Sequence, residues 1–143
     1  MDYEVLDDIT SADLAFRVLA GSRDELFLKG AAALMAIMVA NHGDISTTHH
    51  HTIEMTDTSL DILYYRFLNE FLFLRDAELL LLLPCSVSIT GENGVLNLTC
   101  ETRGERADRN KHSFNTDIKA VTMHHLRVEK TSSGWSAIAV LDL

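Results

Sequence analysis

The stretch Val87-Ser88-Ile89-Thr90-Gly91-Glu92-Asn93-Gly94-Val95-Leu96-Asn97-Leu98 reads as two strands joined by a reversal. Val87 and Ile89 face Leu96 and Leu98 across a Gly-Glu-Asn-Gly connection, and an Asn-Gly pair suits the positive backbone angles of a tight hairpin. An antiparallel pair is therefore expected here. Cys85 and Cys100 fall on its two arms. A four-residue loop would set them opposite one another and a two-residue turn would set them diagonally. In either register they read as small structural core residues, with no flanking base to make a nucleophile.

Upstream of the hairpin, Leu60, Leu63, Tyr64, Phe67, Leu68, Phe71 and Leu72 recur at helical spacing, with Asp57 or Thr58 as the cap and an end near Arg75 or Asp76. Residues 48–55 precede this helix as a weakly alternating strand. Earlier still, Ser22-Arg23-Asp24-Glu25 has the form of a capping box. It opens a helix whose apolar stripe is Leu26, Phe27, Ala31, Leu34, Ile37 and Met38. Asn41-His42-Gly43 is expected to end it, with Gly43 in a left-handed position. Leu14, Phe16 and Val18 alternate with Ala15, Arg17 and Leu19 as a strand, and Tyr3, Glu4, Val5 and Leu6 form another short one.

Downstream, a polar loop spans residues 104–115. Residues 118–128 are extended in character, Ser132-Ser133-Gly134 is a turn, and residues 135–143 alternate to the last position. Two helices cannot supply the crossovers of an all-parallel sheet. The expected fold is α+β: one domain over residues 1–143, with a mixed, largely antiparallel sheet covered by two amphipathic helices in a two-layer sandwich.

Hydrophobic residues make up 47% and charged residues 23% of the 143 positions, a globular balance that excludes wholesale disorder. The formal charge of −9 argues against direct nucleic-acid binding, which needs lysine and arginine to displace counterions. It favours a basic protein partner or a divalent cation held by carboxylates. The first residues show no basic and apolar leader, and the aliphatic run at residues 79–83 is too short to cross a bilayer. With two cysteines and no secretion signal, a cytoplasmic location and no membrane partner are expected.

Among chemistry-bearing residues, Asp13 ends the polar run Asp7-Asp8-Ile9-Thr10-Ser11-Ala12-Asp13 at a strand entry, and Asp142 is followed only by Leu143. If the first and last strands pair, Asp13, Asp142 and the Leu143 carboxylate converge as hard oxygen donors for Ca²⁺, Mg²⁺ or Mn²⁺. The competing reading is a solvated aspartate beside a frayed end. His49, His50 and His51 are consecutive, so only His49 and His51 share a strand face, and no further ligand stands at zinc spacing. Glu70 and Asp76 are six residues apart, which is not one helix face. Lys119 stands in an apolar setting, either snorkelling from a strand or presenting a single charge at a site. There is no phosphate loop, nucleophile elbow or HExxH motif.

Several stretches together resemble the archease family. They are Ser11-Ala12-Asp13, Asp24-Glu25-Leu26-Phe27, Gly30-Ala31-Ala32-Ala33-Leu34, Phe67-Leu68-Asn69-Glu70-Phe71-Leu72-Phe73-Leu74 with Asp76, Gly104-Glu105, His112, Lys119-Ala120-Val121-Thr122-Met123-His124, Gly134-Trp135 and Leu141-Asp142-Leu143. They keep the family's order over nearly the whole chain. The first motif departs from the family's Asp-His-Thr-Ala-Asp-Ile-Gly, reading Asp8-Ile9-Thr10-Ser11-Ala12-Asp13-Leu14-Ala15 with no histidine or glycine. Asp13 is the match to the acidic position. The resemblance implies a protein cofactor, not an enzyme, that promotes guanylylation and repeated turnover of an RtcB-type tRNA-splicing RNA ligase. It implies a divalent metal ion on Asp13, Asp142 and Leu143, with Lys119, Glu70, Asp76, His112 and His124 near the partner contact. The alternatives are a chaperone-like interaction module without a ligase-specific role, and a small metal-dependent hydrolase.

Overall fold

A computed structural model describes residues 3–6 and 13–143. The polar run before Asp13, including the Asp8 end of the first motif, lies outside the described residues. In chain order the elements are β1 (Tyr3–Leu6), β2 (Leu14–Ala20), α1 (Arg23–Met38), a 3₁₀ turn (His42–Asp44), β3 (His49–Asp57), α2 (Leu60–Glu78), β4 (Leu80–Glu92), β5 (Val95–Arg106), β6 (Ala120–Thr131) and β7 (Gly134–Asp142).

The α+β class is as expected, but among the described residues the strands form two sheets and every pairing is antiparallel. One sheet runs β1-β2-β7-β6 and the other β3-β5-β4. Both helices and both sheets feed one apolar core, with Phe16 and Val18 from β2, Ile53 from β3, Leu81 from β4, Leu98 from β5, and Ala137 and Leu141 from β7. Each fully buried Leu or Phe contributes about 1.5–3 kcal/mol relative to an exposed one.

α1 starts as its sequence dictates. The Ser22 hydroxyl accepts from the Glu25 amide at 3.2 Å, while the Glu25 carboxylate accepts from Gly21, one residue before the cap, at 3.3 Å. The helix stops at Met38, ahead of Asn41, because Val39 turns extended and bridges to Phe114. Gly43 consequently sits in the 3₁₀ turn, not in a left-handed cap. The cap of α2 is Ser59, whose hydroxyl accepts from Ile62. Asp57 acts one step earlier, accepting from the Thr58 and Ser59 amides. α2 continues to Glu78 and ends on Leu79 in the left-handed conformation at φ 56°.

Where the helices meet, Tyr64 packs edge-on to Phe27 at 5.0 Å, and Phe67 lies 5.6 Å from Phe27 and 5.2 Å from Phe71. Gly30 allows this, since a side chain there would occupy the Tyr64 ring. Burial pushes the Tyr64 hydroxyl well above its usual ionisation range.

The hairpin takes its tight form. Glu92 pairs with Val95, leaving Asn93 at φ 53° and Gly94 at φ 79° as a two-residue turn. Val87 therefore faces Cys100, and a register shift between Pro84 and Ser86 leaves Cys85 without a cross-strand partner. Cys85 is exposed and Cys100 is buried, so only the second is a core residue. Burial pushes the Cys100 thiol up to about 12, in keeping with an inert packing role.

Candidate carboxylate site

β7 lies between β2 and β6, so its last residues are flanked on both sides. Leu14 pairs with Leu141, which places Asp13 at the register position facing Asp142. On the other side Ala120 pairs with Asp142, and the Lys119 amide donates to the Asp142 carbonyl at 2.8 Å. The pleat sends Leu141 and Val121 into the core. Asp142, one residue on, is exposed on the opposite face, the face on which Ala15 and Val140 form a small apolar cluster with Leu6. Asp13 is half-buried at the entry to β2, and Leu143 is 39% exposed. The fold thus brings residues 13, 142 and 143 to one end of one sheet.

Two carboxylates at facing strand positions repel one another unless a cation or a hydrogen-bond donor intervenes. Their donor chemistry is all oxygen, which fits a hard divalent cation whose remaining positions are filled by water. It does not fit zinc, which favours cysteine and histidine. Among the described residues no group of three or more His, Cys, Asp or Glu side chains converges. The consecutive histidines form no such group either. His50 instead meets Glu101 at 2.7 Å on the sheet surface, and Thr52 donates to the same carboxylate.

The remaining candidates separate into distinct places. Lys119 is exposed beside Asp142. Glu70 is half-buried on α2. Asp76 accepts from Arg75 Nε at 2.8 Å, and both line an open groove of about 900 Å³ with Arg109, Phe114 and Asp117. His124 is exposed within an irregular stretch of β6 between Thr122 and Arg127, its ring 4.3 Å from that of His125, which has φ 54°.

His112 is different. It is 3% exposed, and its ring nitrogens are engaged by Asp108 of the same 107–117 loop and by Glu105 at the end of β5. The Asp108 amide donates to Nδ1 at 2.9 Å, so Nε2 carries the proton and donates to Glu105 at 2.9 Å. Lys111 Nζ reaches the same Glu105 oxygen at 2.6 Å, and the Ser46 amide donates to it at 2.8 Å. Lys111, Ser46 and His112 together hold the Glu105 carboxyl down at about 2. His112 thereby fastens the loop. Asn41 fastens the same loop from the other side, donating to the Lys111 carbonyl and accepting from the Ser113 amide.

Sequence reasoning passed over Asn69. Its Oδ1 accepts from the Val121 amide at 2.9 Å and its Nδ2 donates to the Val121 carbonyl at 3.0 Å. The side chain thereby occupies the outer edge of β6 where a further strand would pair. The available signal was an amide flanked by Phe67, Leu68, Phe71 and Leu72 in an apolar helix stripe.

The sequence model of the archease protein family (MTH1598/TM1083) matches residues 3–143. The chain belongs to the archease family. Protein archease of Methanosarcina barkeri is 32% identical over 142 residues, covering 99% of this chain and 95% of the relative. Protein archease of Archaeoglobus fulgidus is 32% identical over 143 residues, covering 100% of both. The solution structure of Methanobacterium thermoautotrophicum protein 1598 superposes with a TM-score of 0.86 at 27% identity, covering 99% of this chain and 98% of that one. An archease from Thermotoga maritima, described as a possible chaperone, shares the fold with a TM-score of 0.61 at 18% identity, covering 94% of this chain and 93% of that one. Among the described residues of this archease-family chain, no helix is long and apolar enough to cross a membrane.

Proposed function

We propose that this archease-family protein is an accessory factor of an RtcB-type tRNA-splicing RNA ligase, acting through a divalent cation held by Asp13, Asp142 and Leu143. Its task is to promote guanylylation of the ligase by GTP and so permit repeated turnover. The observation that carries this reading is the Leu14–Leu141 pairing, which sets the two aspartates at facing positions at one end of the sheet. The ion would neutralise negative charge on phosphate in the partner.

The chain's own groups have simpler tasks. Asp13 and Asp142 supply oxygen ligands, and Lys119 presents a positive charge beside them. An overall charge of −9 draws the protein towards a basic, phosphate-binding surface. Glu70, Asp76 and His124 are candidates for the surrounding contact, with Asp76 on the groove rim and His124 on the outer strand of its sheet. The chemistry stays in the partner, so the protein is not itself an enzyme.

Leu79 and Phe114, 49% and 44% exposed, border the groove and favour a second reading as a chaperone-like interaction module. A multiple-turnover ligation assay with purified ligase, GTP and RNA separates the two. Under the first reading Asp13→Ala and Asp142→Ala each drop stimulation to the level of ligase alone. Full stimulation by both variants would remove the carboxylates from the mechanism and favour the module.

A further inference from the structure

Asn69 and Arg75 both project from α2 onto the segment that flanks Asp142. Asn69 engages both main-chain groups of Val121 and also donates to the Tyr65 carbonyl of its own helix at 3.2 Å. Its amide is therefore held from two sides. Arg75, with its side chain only 15% exposed, donates through Nη2 to the Ile118 carbonyl at 2.7 Å and is oriented by Asp76 through Nε. Between these two anchors lie Lys119, whose amide holds the Asp142 carbonyl, and Ala120, which pairs with Asp142.

Val121 in turn pairs with Leu141, and Leu141 pairs with Leu14. One α2 side chain is thus tied to a row of three apolar residues, Val121 and Leu141 in the core and Leu14 packed against it, each one position from the end where Asp13 and Asp142 lie. Among the described residues β6 is the outermost strand of its sheet, with no strand beyond it. An outer strand without a neighbour frays and twists unless its free main-chain groups are satisfied. The helix satisfies them at Val121 and at Ile118, on the two sides of the Asp142 contact.

We propose that Asn69 and Arg75 are positioning residues for the carboxylate pair, holding residues 118–121 so that β7 presents Asp142 opposite Asp13 at a fixed separation. This rests on the cation-binding reading above and goes beyond it. The residues that set the affinity of the site stand on a helix that does not touch the ion. Groups that orient metal ligands change affinity by 10–100-fold when removed, without themselves coordinating.

The test is a Mn²⁺ titration of the full chain followed by calorimetry, with the fold of each apo variant checked by circular dichroism and its thermal midpoint recorded. Asn69→Ala removes both bonds to Val121. Asn69→Asp keeps the acceptor for the Val121 amide and loses the donor to its carbonyl. Arg75→Gln removes the tie to Ile118 and serves should Asn69→Ala fail to fold. The matched control is Asp24→Ala. Asp24 Oδ1 accepts from the Ile89 amide at 3.0 Å, a helix-to-strand bond of the same kind in the other sheet.

The expected result is a Mn²⁺ affinity about 10-fold or more weaker in Asn69→Ala and in Arg75→Gln, with a smaller loss in Asn69→Asp. Asp24→Ala should lower the thermal midpoint while binding Mn²⁺ as the wild type does. Wild-type affinity in folded Asn69 and Arg75 variants overturns the proposal, as does an equal loss in Asp24→Ala, which would make the effect one of general stability. A wild-type chain that binds no Mn²⁺, or binds it equally well as Asp142→Ala, overturns the cation-binding reading itself and is distinguished by that arm alone.

Discussion

Glu105 receives three donors on one carboxylate, from Lys111, the Ser46 amide and His112. Its folded ionisation lies near 2, below the ordinary value of 4.5, so the charged form belongs to the folded state. The sign follows from proton linkage. The unfolded chain takes up a proton before the folded one does, so this stabilisation is complete above about pH 4.5 and is lost as pH falls towards 2. Glu105→Gln should accordingly be less stable than the wild type at pH 6, and the difference should shrink on acidification to pH 3. Urea unfolding at the two pH values checks this, and an unchanged gap would mean that Glu105 is not held by charge. His112, picked out by resemblance, has both ring nitrogens engaged within the chain. Its sequence context gives no sign that Asp108, four residues earlier, folds back onto its ring. Cys85 was misplaced for a related reason. Pro84 brings no amide to the ladder, and the register shift that follows it turns Cys85 out to solvent.

At the scale of elements, the parts of the sequence governed by local chemistry were readable. Ser22 with Glu25, the Asn93-Gly94 turn and the apolar stripe of α2 each encode their element within a few residues. The start of α2 was displaced because three candidate caps, Asp57, Thr58 and Ser59, are adjacent and each has a side-chain oxygen. The structure gives the cap to Ser59, with Asp57 ordering the turn before it. Ser59→Ala should therefore cost about 1 kcal/mol of stability, whereas Thr58→Ala should change it by less than about 0.5 kcal/mol. Chemical denaturation of the two variants decides between the assignments, and the reverse ranking would move the cap to Thr58. What the residues could not announce was the division into two sheets. Alternation marks a strand and its buried face, but not which distant strand it joins, and β2 with β7 is the longest-range pairing among the described residues.

Across the whole molecule, that long-range pairing turns two unremarkable aspartates into a candidate site. Asp13 and Asp142 are distant in sequence, and neither has a local motif that requires a metal. Resemblance to the archease family pointed to them, and the antiparallel register gives a physical reason for their proximity. Their setting is held from beneath by α2, and the loop fastened by Glu105 and His112 forms a wall of the neighbouring groove through Arg109, Phe114 and Asp117. The central claim is that a hard cation rests between these two side chains. The most direct measurement is an anomalous difference map from crystals of the full chain grown with Mn²⁺. A peak is expected within bonding distance of carboxylate oxygens of both Asp13 and Asp142. Density for the two side chains with no peak between them at saturating Mn²⁺, or a peak only elsewhere on the surface, would contradict it.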